Sequence, residues 1–193
     1  MIETLVVATG NPGKLEEMQA YLSNFEVNLQ LKPPEIEVEE TGNTFLDNSA
    51  LKASIVAQKT IKWAIADDSG LAVEALGGAP GVYSARYGAT DTDRIERVLR
   101  ELGDHPNRGA QFVCAIAIAR PDGSIAVQVE GRCAGEILSS PQGEGGFGYD
   151  PIFYVPAWQQ TFAQMSPQRK QLISHRGEAF KQLLPQLKQL LSH

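Results

Sequence analysis

Cysteine and histidine are scarce, two of the first and three of the second in 193 residues, which argues against a disulfide scaffold or a metal-stapled minidomain and leaves a redox pair or metal ligands at the cysteines as the alternative reading. Cys114 and Cys133 have no CxxC spacing and no nearby histidine, and they fall on what read as the two strands of one hairpin. Both are expected as reduced, half-buried thiols. Long apolar runs are lacking too. No stretch approaches a membrane span or a signal-peptide core, and Glu3 stands among the first residues, so the chain is expected in the cytoplasm with no membrane partner. A basic excess is also missing. Lys and Arg number 17 against 23 Asp and Glu, a net charge of −6, which argues against sequence-independent binding to a nucleic-acid backbone but not against a small anion held by a few local cations.

What is present is an ordinary globular composition, 42% hydrophobic and 21% charged, without repeats, low-complexity tracts or linkers. The expectation is a single domain over 1–193 with two lobes. Residues 4–8 form a β-branched run, Gly10-Asn11-Pro12-Gly13 breaks it, and 14–22 pick up helical spacing. A strand at 28–32 ends at Pro33-Pro34. An acidic stretch then leads to Thr44, a suitable N-cap for an Ala-rich helix to Thr60. A strand at 63–66 is closed by Asp67-Asp68-Ser69-Gly70, and 77–81 are too rich in breakers to be an element. A helix at 91–102 places Ile95, Val98, Leu99 and Leu102 on one face. Strands at 112–119 and 125–134 make a hairpin turning at Pro121-Asp122-Gly123. A short strand at 153–155 and a helix at 174–191, kinked or interrupted by Pro185, complete the chain. This order predicts an α/β fold: a two-lobed mixed sheet with a long antiparallel hairpin and flanking helices, and an active-site cleft between lobes.

Several segments carry chemistry. Thr9-Gly10-Asn11-Pro12-Gly13-Lys14 joins a strand to a helix, where backbone N–H groups, the helix dipole and the Lys14 charge favour a phosphate; an ordinary βα turn is the alternative. It is not a Walker A loop, because the glycines are too close and Leu15 stands where Ser or Thr is needed. Asp67 and Asp68 are adjacent on a strand and therefore point to opposite faces, so one is functional and one structural. Glu37, Glu39 and Glu40 are a second acidic source or a solvated run. Asn48 and Lys52, four apart on a helix, are able to face one anion together. Gly143 to Gly148 matches GxGxxG, yet neither a strand before it nor a helix after it fits a dinucleotide site. The loop instead presents Phe147, Tyr149 and Asp150, a set suited to a planar base. Lys170, His175 and Arg176 gather near a helix start capped by Ser174, and Arg86 is a further candidate cation.

Taken in order, these segments resemble one family, the inosine/xanthosine triphosphate pyrophosphatases that clear aberrant purine nucleotides. The resemblance is carried by Thr9 to Lys14, Glu40-Thr41-Gly42-Asn43-Thr44-Phe45, Ala66-Asp67-Asp68-Ser69-Gly70-Leu71, Leu76 to Tyr87, Gly145 to Pro151 and Ser174-His175-Arg176-Gly177. It implies a homodimer that hydrolyses a nucleoside triphosphate to monophosphate and pyrophosphate with Mg²⁺. By the same resemblance Thr9, Gly10, Asn11, Pro12, Gly13 and Lys14 bind phosphates, Asp68 is general base and metal ligand, and Ser69 touches substrate. Phe147, Gly148, Tyr149, Asp150, Lys170, His175 and Arg176 hold the base and the remaining phosphates. Glu40 falls on the second metal ligand, with Glu37 and Glu39 as competitors. Asp47 and Ser49 depart from the family's usual residues, and 59–63 are less typical than their neighbours. The rival readings are a pyrophosphatase of pyrimidine or modified nucleotides, whose opening segment differs from Thr9 to Lys14, and a non-catalytic nucleotide sensor.

Overall fold

β1 (Thr4–Val7) forms because a short β-branched run flanked by breakers favours an extended, buried chain. The computed structural model describes residues 3–192. α1 (Pro12–Leu22) starts earlier than the apolar spacing indicated, at Pro12. Proline suits the first helical position, and Asn11 Oδ1 accepts the N–H groups of Gly13 and Lys14 at 2.9 and 3.3 Å. β2 (Asn28–Leu31) follows, then α2 (Phe45–Thr60), whose cap Thr44 accepts the Asp47 N–H at 3.0 Å. β3 (Trp63–Val73) is next, then α3 (Asp91–Leu102), β4 (Gly109–Ala119), β5 (Ile125–Ile137), β6 (Phe153–Val155), β7 (Gln160–Thr161), α4 (Pro167–Ile173) and α5 (His175–Leu191). The strands form one seven-stranded sheet in the order β2-β1-β3-β4-β5-β6-β7. β1 runs parallel to β2 and β3, while β6 is antiparallel to β5 and β7. The sheet is mixed, as expected.

Several elements differ from the sequence reading. β3 does not close at Asp67 but runs through Asp67-Asp68-Ser69-Gly70 to Val73. Gly70 serves close approach rather than a turn: a Cβ there would meet the Ser84 hydroxyl and lie 2.6 Å from the Gly81 carbonyl oxygen. The Ser84 hydroxyl instead accepts the Leu71 N–H at 2.9 Å, fastening a 3-10 turn (Gly81–Arg86) to the strand. A 3-10 turn at Glu74–Leu76 and the helix α4 were not foreseen, because short elements leave too little periodicity to read. Pro185 lies inside α5 without ending it. Cys114 and Cys133 are buried rather than half-buried, and burial pushes the Cys133 thiol up to about 11.

The chain divides into two compact units, 1–68 with 114–131 and 179–193, and 69–113 with 132–178. In the first unit the side chains alternate strictly. Leu5, Val7, Ile65, Ile116 and Ile118 pack with Met18, Leu22, Phe180, Leu183 and Leu187 of α1 and α5. On the other face Val6, Ala8, Ala64, Ala66, Ala117 and Ala119 pack with Ala53, Val56 and Ala57 of α2. Alanine on both surfaces leaves little between the α2 backbone and the sheet. The second unit is built on Leu71, Val73, Ile95, Val98, Phe112, Phe153 and Phe162. The rings of Phe112, Phe153 and Phe162 lie within 4.6–5.7 Å of one another.

α2 ends at Ile61, in the atypical 59–63 segment, with φ of 53° and 79% of the residue exposed. A β-branched residue held left-handed without burial is strained. Ile61→Asn, a residue that tolerates this conformation, is expected to raise the unfolding free energy by about 1 kcal/mol in urea titration. A lower midpoint would show that the isoleucine side chain supports the fold despite its exposure.

Candidate active site

In the first unit the alternation of β3 decides where each aspartate goes. Asp67 shares the face of Ile65 and meets α1: its Oδ2 lies 3.1 Å from Lys14 Nζ, with no side-chain exposure. Asp68 shares the face of Ala64 and Ala66 and meets α2. Its Oδ2 accepts Asn48 Nδ2 at 3.1 Å, and its Oδ1 lies 3.4 Å from Lys52 Nζ. The same ammonium lies 2.6 Å from Glu40 Oε1. Of the three upstream glutamates, Glu40 reaches this cluster, while Glu37 and Glu39 are exposed. Asn48 also accepts the Gly42 N–H at 2.8 Å, tying the segment that carries Glu40 to the helix. Asn48 and Lys52 do face one way, as their spacing indicates, and both meet the Asp68 carboxylate.

The Thr9 to Lys14 loop keeps part of its N–H set for itself. Asn11 Oδ1 takes Gly13 and Lys14, and Thr9 Oγ1 accepts the Asn11 N–H at 3.1 Å. What the loop offers an anion is the Lys14 ammonium, 15% exposed beside Asp67, and an exposed Gly10 where even a Cβ would meet nothing within 4 Å.

The second unit holds the other candidates. Asp150 is buried, and its Oδ2 accepts both the Phe147 N–H at 2.9 Å and Lys170 Nζ at 2.7 Å. Lys170 Nζ lies 4.6 Å from the centre of the Phe147 ring, with the Arg176 guanidinium 6.0 Å away. Arg176 is buried and donates to the Ser69 hydroxyl at 3.0 Å. His175 stacks on Phe112 at 4.6 Å, its ring part of the aromatic core. Ser174 accepts the Gly177 N–H at 3.1 Å, the cap its position suggested. Tyr149 lies in the core rather than on the loop surface. Its hydroxyl donates to the Ser84 carbonyl at 2.8 Å, and burial holds its phenol far above the usual range. Phe147 is thus the half-exposed aromatic of the loop. Arg86 is exposed and lies over Tyr83, at 5.5 Å from the ring centre.

The sequence profile of the Ham1 family matches residues 5–186. The chain belongs to the Ham1 family. A protein of Nostoc sp. named dITP/XTP pyrophosphatase is 65% identical over 179 residues, 93% of this chain and 91% of that one. A protein of the same name from Thermosynechococcus vestitus is 59% identical, over 90% of each chain. Among solved structures, a HAM1 protein from Coxiella burnetii superposes with a TM-score of 0.90 at 43% identity, covering 98% of this chain and 100% of that one. The family resemblance read from six ordered segments is therefore borne out over nearly the whole length, with the α/β fold.

Electrostatics sets the working state of the carboxylates in this Ham1-family chain. Burial raises the Asp68 carboxyl above its ordinary value, with Lys52, Lys14 and Asn48 opposing and Glu40 adding to the rise. Burial works against the Lys52 charge, yet Asp68, Asp67 and Glu40 outweigh it and hold its ammonium above the usual lysine value. Both shifts upward fit a cluster in which three carboxylates face two ammonium groups. Among the described residues no group of three or more His, Cys, Asp and Glu is placed to hold a metal by protein ligands alone. A groove of about 490 Å³ lined by Gln30, Glu35, Lys59 and Lys62 among others contains none of the candidate residues.

Sequence reasoning passed over Asp91. Its Oδ2 accepts the Gly148 N–H at 2.7 Å, so the first turn of α3 anchors the loop that carries Phe147. The Thr90 capping box announces the helix start but not this distant partner.

A carboxyl whose proton is held more tightly in the folded chain costs stability once ionised. That cost is absent well below the unfolded value near 3.8 and complete above the raised folded value. Asp68→Asn is therefore expected to be as stable as the parent or more stable at pH 7, with the gain shrinking as pH falls through the raised folded value toward about 4. Thermal unfolding at several pH values measures this, and a gain that grows toward acid pH would refute the burial account.

Proposed function

We propose that this chain, as one pyrophosphatase domain over 1–193, hydrolyses dITP, ITP and XTP to the nucleoside monophosphate and pyrophosphate. The observation that carries the reading is the buried Asp68 carboxylate, gripped by Asn48 and Lys52 with Glu40 on the same ammonium, in a chain of the Ham1 family. Hydrolysis adds water to the α-phosphorus and breaks its bond to the bridging oxygen, with pyrophosphate leaving. Asp68 takes the proton from the attacking water, a role that its raised carboxyl value suits. Lys14 and Lys52 neutralise phosphate charge, and such positioning is most of what phosphoryl transfer requires. No serine or cysteine nucleophile is needed.

Glu40 and Asp68 would hold magnesium, and they fit it. The donors are two carboxylates and nothing softer, which matches a hard cation that takes one or two protein carboxylates and completes its shell with water and substrate phosphate. Bound there, the ion supplies further neutralisation of the triphosphate. Phe147 stacks on the purine, and Lys170 and Arg176 read the oxygen at C6 that inosine and xanthosine carry where adenosine has an amino group. Asp150 and His175 support that reading by fixing Lys170 and the aromatic wall. The same family resemblance supports a homodimer acting in the cytoplasm, which light scattering tests for the first part; among the described residues no helix is long and apolar enough to cross a membrane.

Pyrophosphate release with magnesium over a nucleotide panel is expected to rank dITP, ITP and XTP far above GTP, with ATP and pyrimidine triphosphates lowest. A binding-only sensor would release none. A site whose polar groups are left unpaired by the wrong base discriminates by up to roughly 10⁴-fold or more. ATP turned over within about tenfold of ITP, worth about 1.4 kcal/mol, would sink the base-reading account. Asp68→Asn is expected to lower kcat by about 10²-fold or more with the fold kept. Lys14→Ala is expected to lower kcat/KM by about 10²-fold, and an unchanged value would make the Thr9 to Lys14 loop a plain turn.

A further inference from the structure

Lys52 places its ammonium against both carboxylates assigned above to magnesium, 2.6 Å from Glu40 Oε1 and 3.4 Å from Asp68 Oδ1. The side chains of Lys52, Glu40 and Asp68 are 11%, 22% and 7% exposed, so water screens their attraction little. Asn48 stabilises the arrangement as well. Its amide donates to the second Asp68 oxygen and accepts the Gly42 N–H, holding both carboxylate-bearing segments at once. Gly42 permits this because a Cβ there would lie 2.6 Å from the Asn48 side-chain oxygen.

An ammonium and a hard divalent cation compete for the same carboxylate oxygens, since both are held by their charge. We infer that Lys52 is a gate for the cation: it holds Glu40 and Asp68 together, keeps divalent metal weakly bound, and yields to it only when a triphosphate offers the ammonium other anionic oxygens. Nucleotide then removes the competitor as well as adding ligands, so metal and substrate bind with positive coupling. Without a nucleotide the metal would have to displace a buried ammonium from both carboxylates at once. The arrangement limits the site to cations that arrive with substrate. The inference rests on the metal reading of Glu40 and Asp68.

Lys14 provides the control for general charge effects, because its ammonium is placed on Asp67 at 3.1 Å, across β3 from Asp68. The experiment titrates Mn²⁺ as the probe into the full chain without nucleotide, by calorimetry and by the electron paramagnetic resonance signal of free Mn²⁺. The parent chain is expected to bind Mn²⁺ weakly, Lys52→Met and Lys52→Gln about tenfold or more tightly, and Lys14→Met much less changed. Glu40→Gln in the Lys52→Met background should return binding to the parent level. Equal gains in the Lys52 and Lys14 variants would reduce the effect to net charge and overturn the gate. So would tight Mn²⁺ binding by the parent chain, a measurement that needs no variant to fold. If Lys52→Met binds more tightly but Glu40→Gln leaves that binding untouched, the metal reading of Glu40 fails instead.

Discussion

The period-two alternation of β3 is the constraint on which the rest of the site depends. Within five residues it sends Ala64, Ala66 and Asp68 toward α2, and Ile65 and Asp67 toward α1. Two adjacent acids thereby acquire different partners and different chemistry without any turn in the chain. The alanine face adds the second half of the effect. Small side chains on the strand and on α2 let Asn48 and Lys52 reach the strand backbone's neighbourhood, where a bulkier face would hold the helix away.

Concentrating charge in this way opposes stability. Three carboxylates and two ammonium groups lie in or near the packed interior, and burial disfavours each ionised form unless the partners are held close. The Asn48 amide and the Gly42 backbone supply that holding, so the cluster is organised by neutral groups as well as by opposite charges. A rigid carboxylate whose proton affinity is raised is a better base than a solvated one at neutral pH. In the function proposed for this chain, the stability given up at Asp68 serves its role as the base.

The second unit solves a different problem, that of holding a glycine-rich loop in one shape. The loop is fastened at consecutive residues: Phe147 through Asp150, Gly148 through Asp91, and Tyr149 through the Ser84 carbonyl. Gly146 makes the first of these possible, since a side chain there would collide with the Asp150 carboxylate. One carboxylate oxygen of Asp150 serves both the loop and Lys170, so the cation over the Phe147 ring and the ring itself are positioned together.

Much of this was legible in the amino-acid sequence. The β1–α1 handover, the Thr44 cap, the apolar face of 91–102 and the hairpin turn at Gly123 all follow from local patterns of side-chain size, caps and breakers, and local patterns survive in a linear string. The opposite orientation of Asp67 and Asp68 was equally a property of the strand. Other features required tertiary contacts between residues far apart in the chain. Gly70 reads as a terminator until Ser84 is seen to need its missing side chain, and Tyr149 reads as a surface aromatic until Ser84 claims its hydroxyl. Glu40 is indistinguishable from Glu37 and Glu39 in a run of acids, and only the position of Lys52 singles it out. Sequence alone determined which residues could be charged, small or extended; the fold decided which oxygen meets which nitrogen, because that depends on packing distances no local pattern carries.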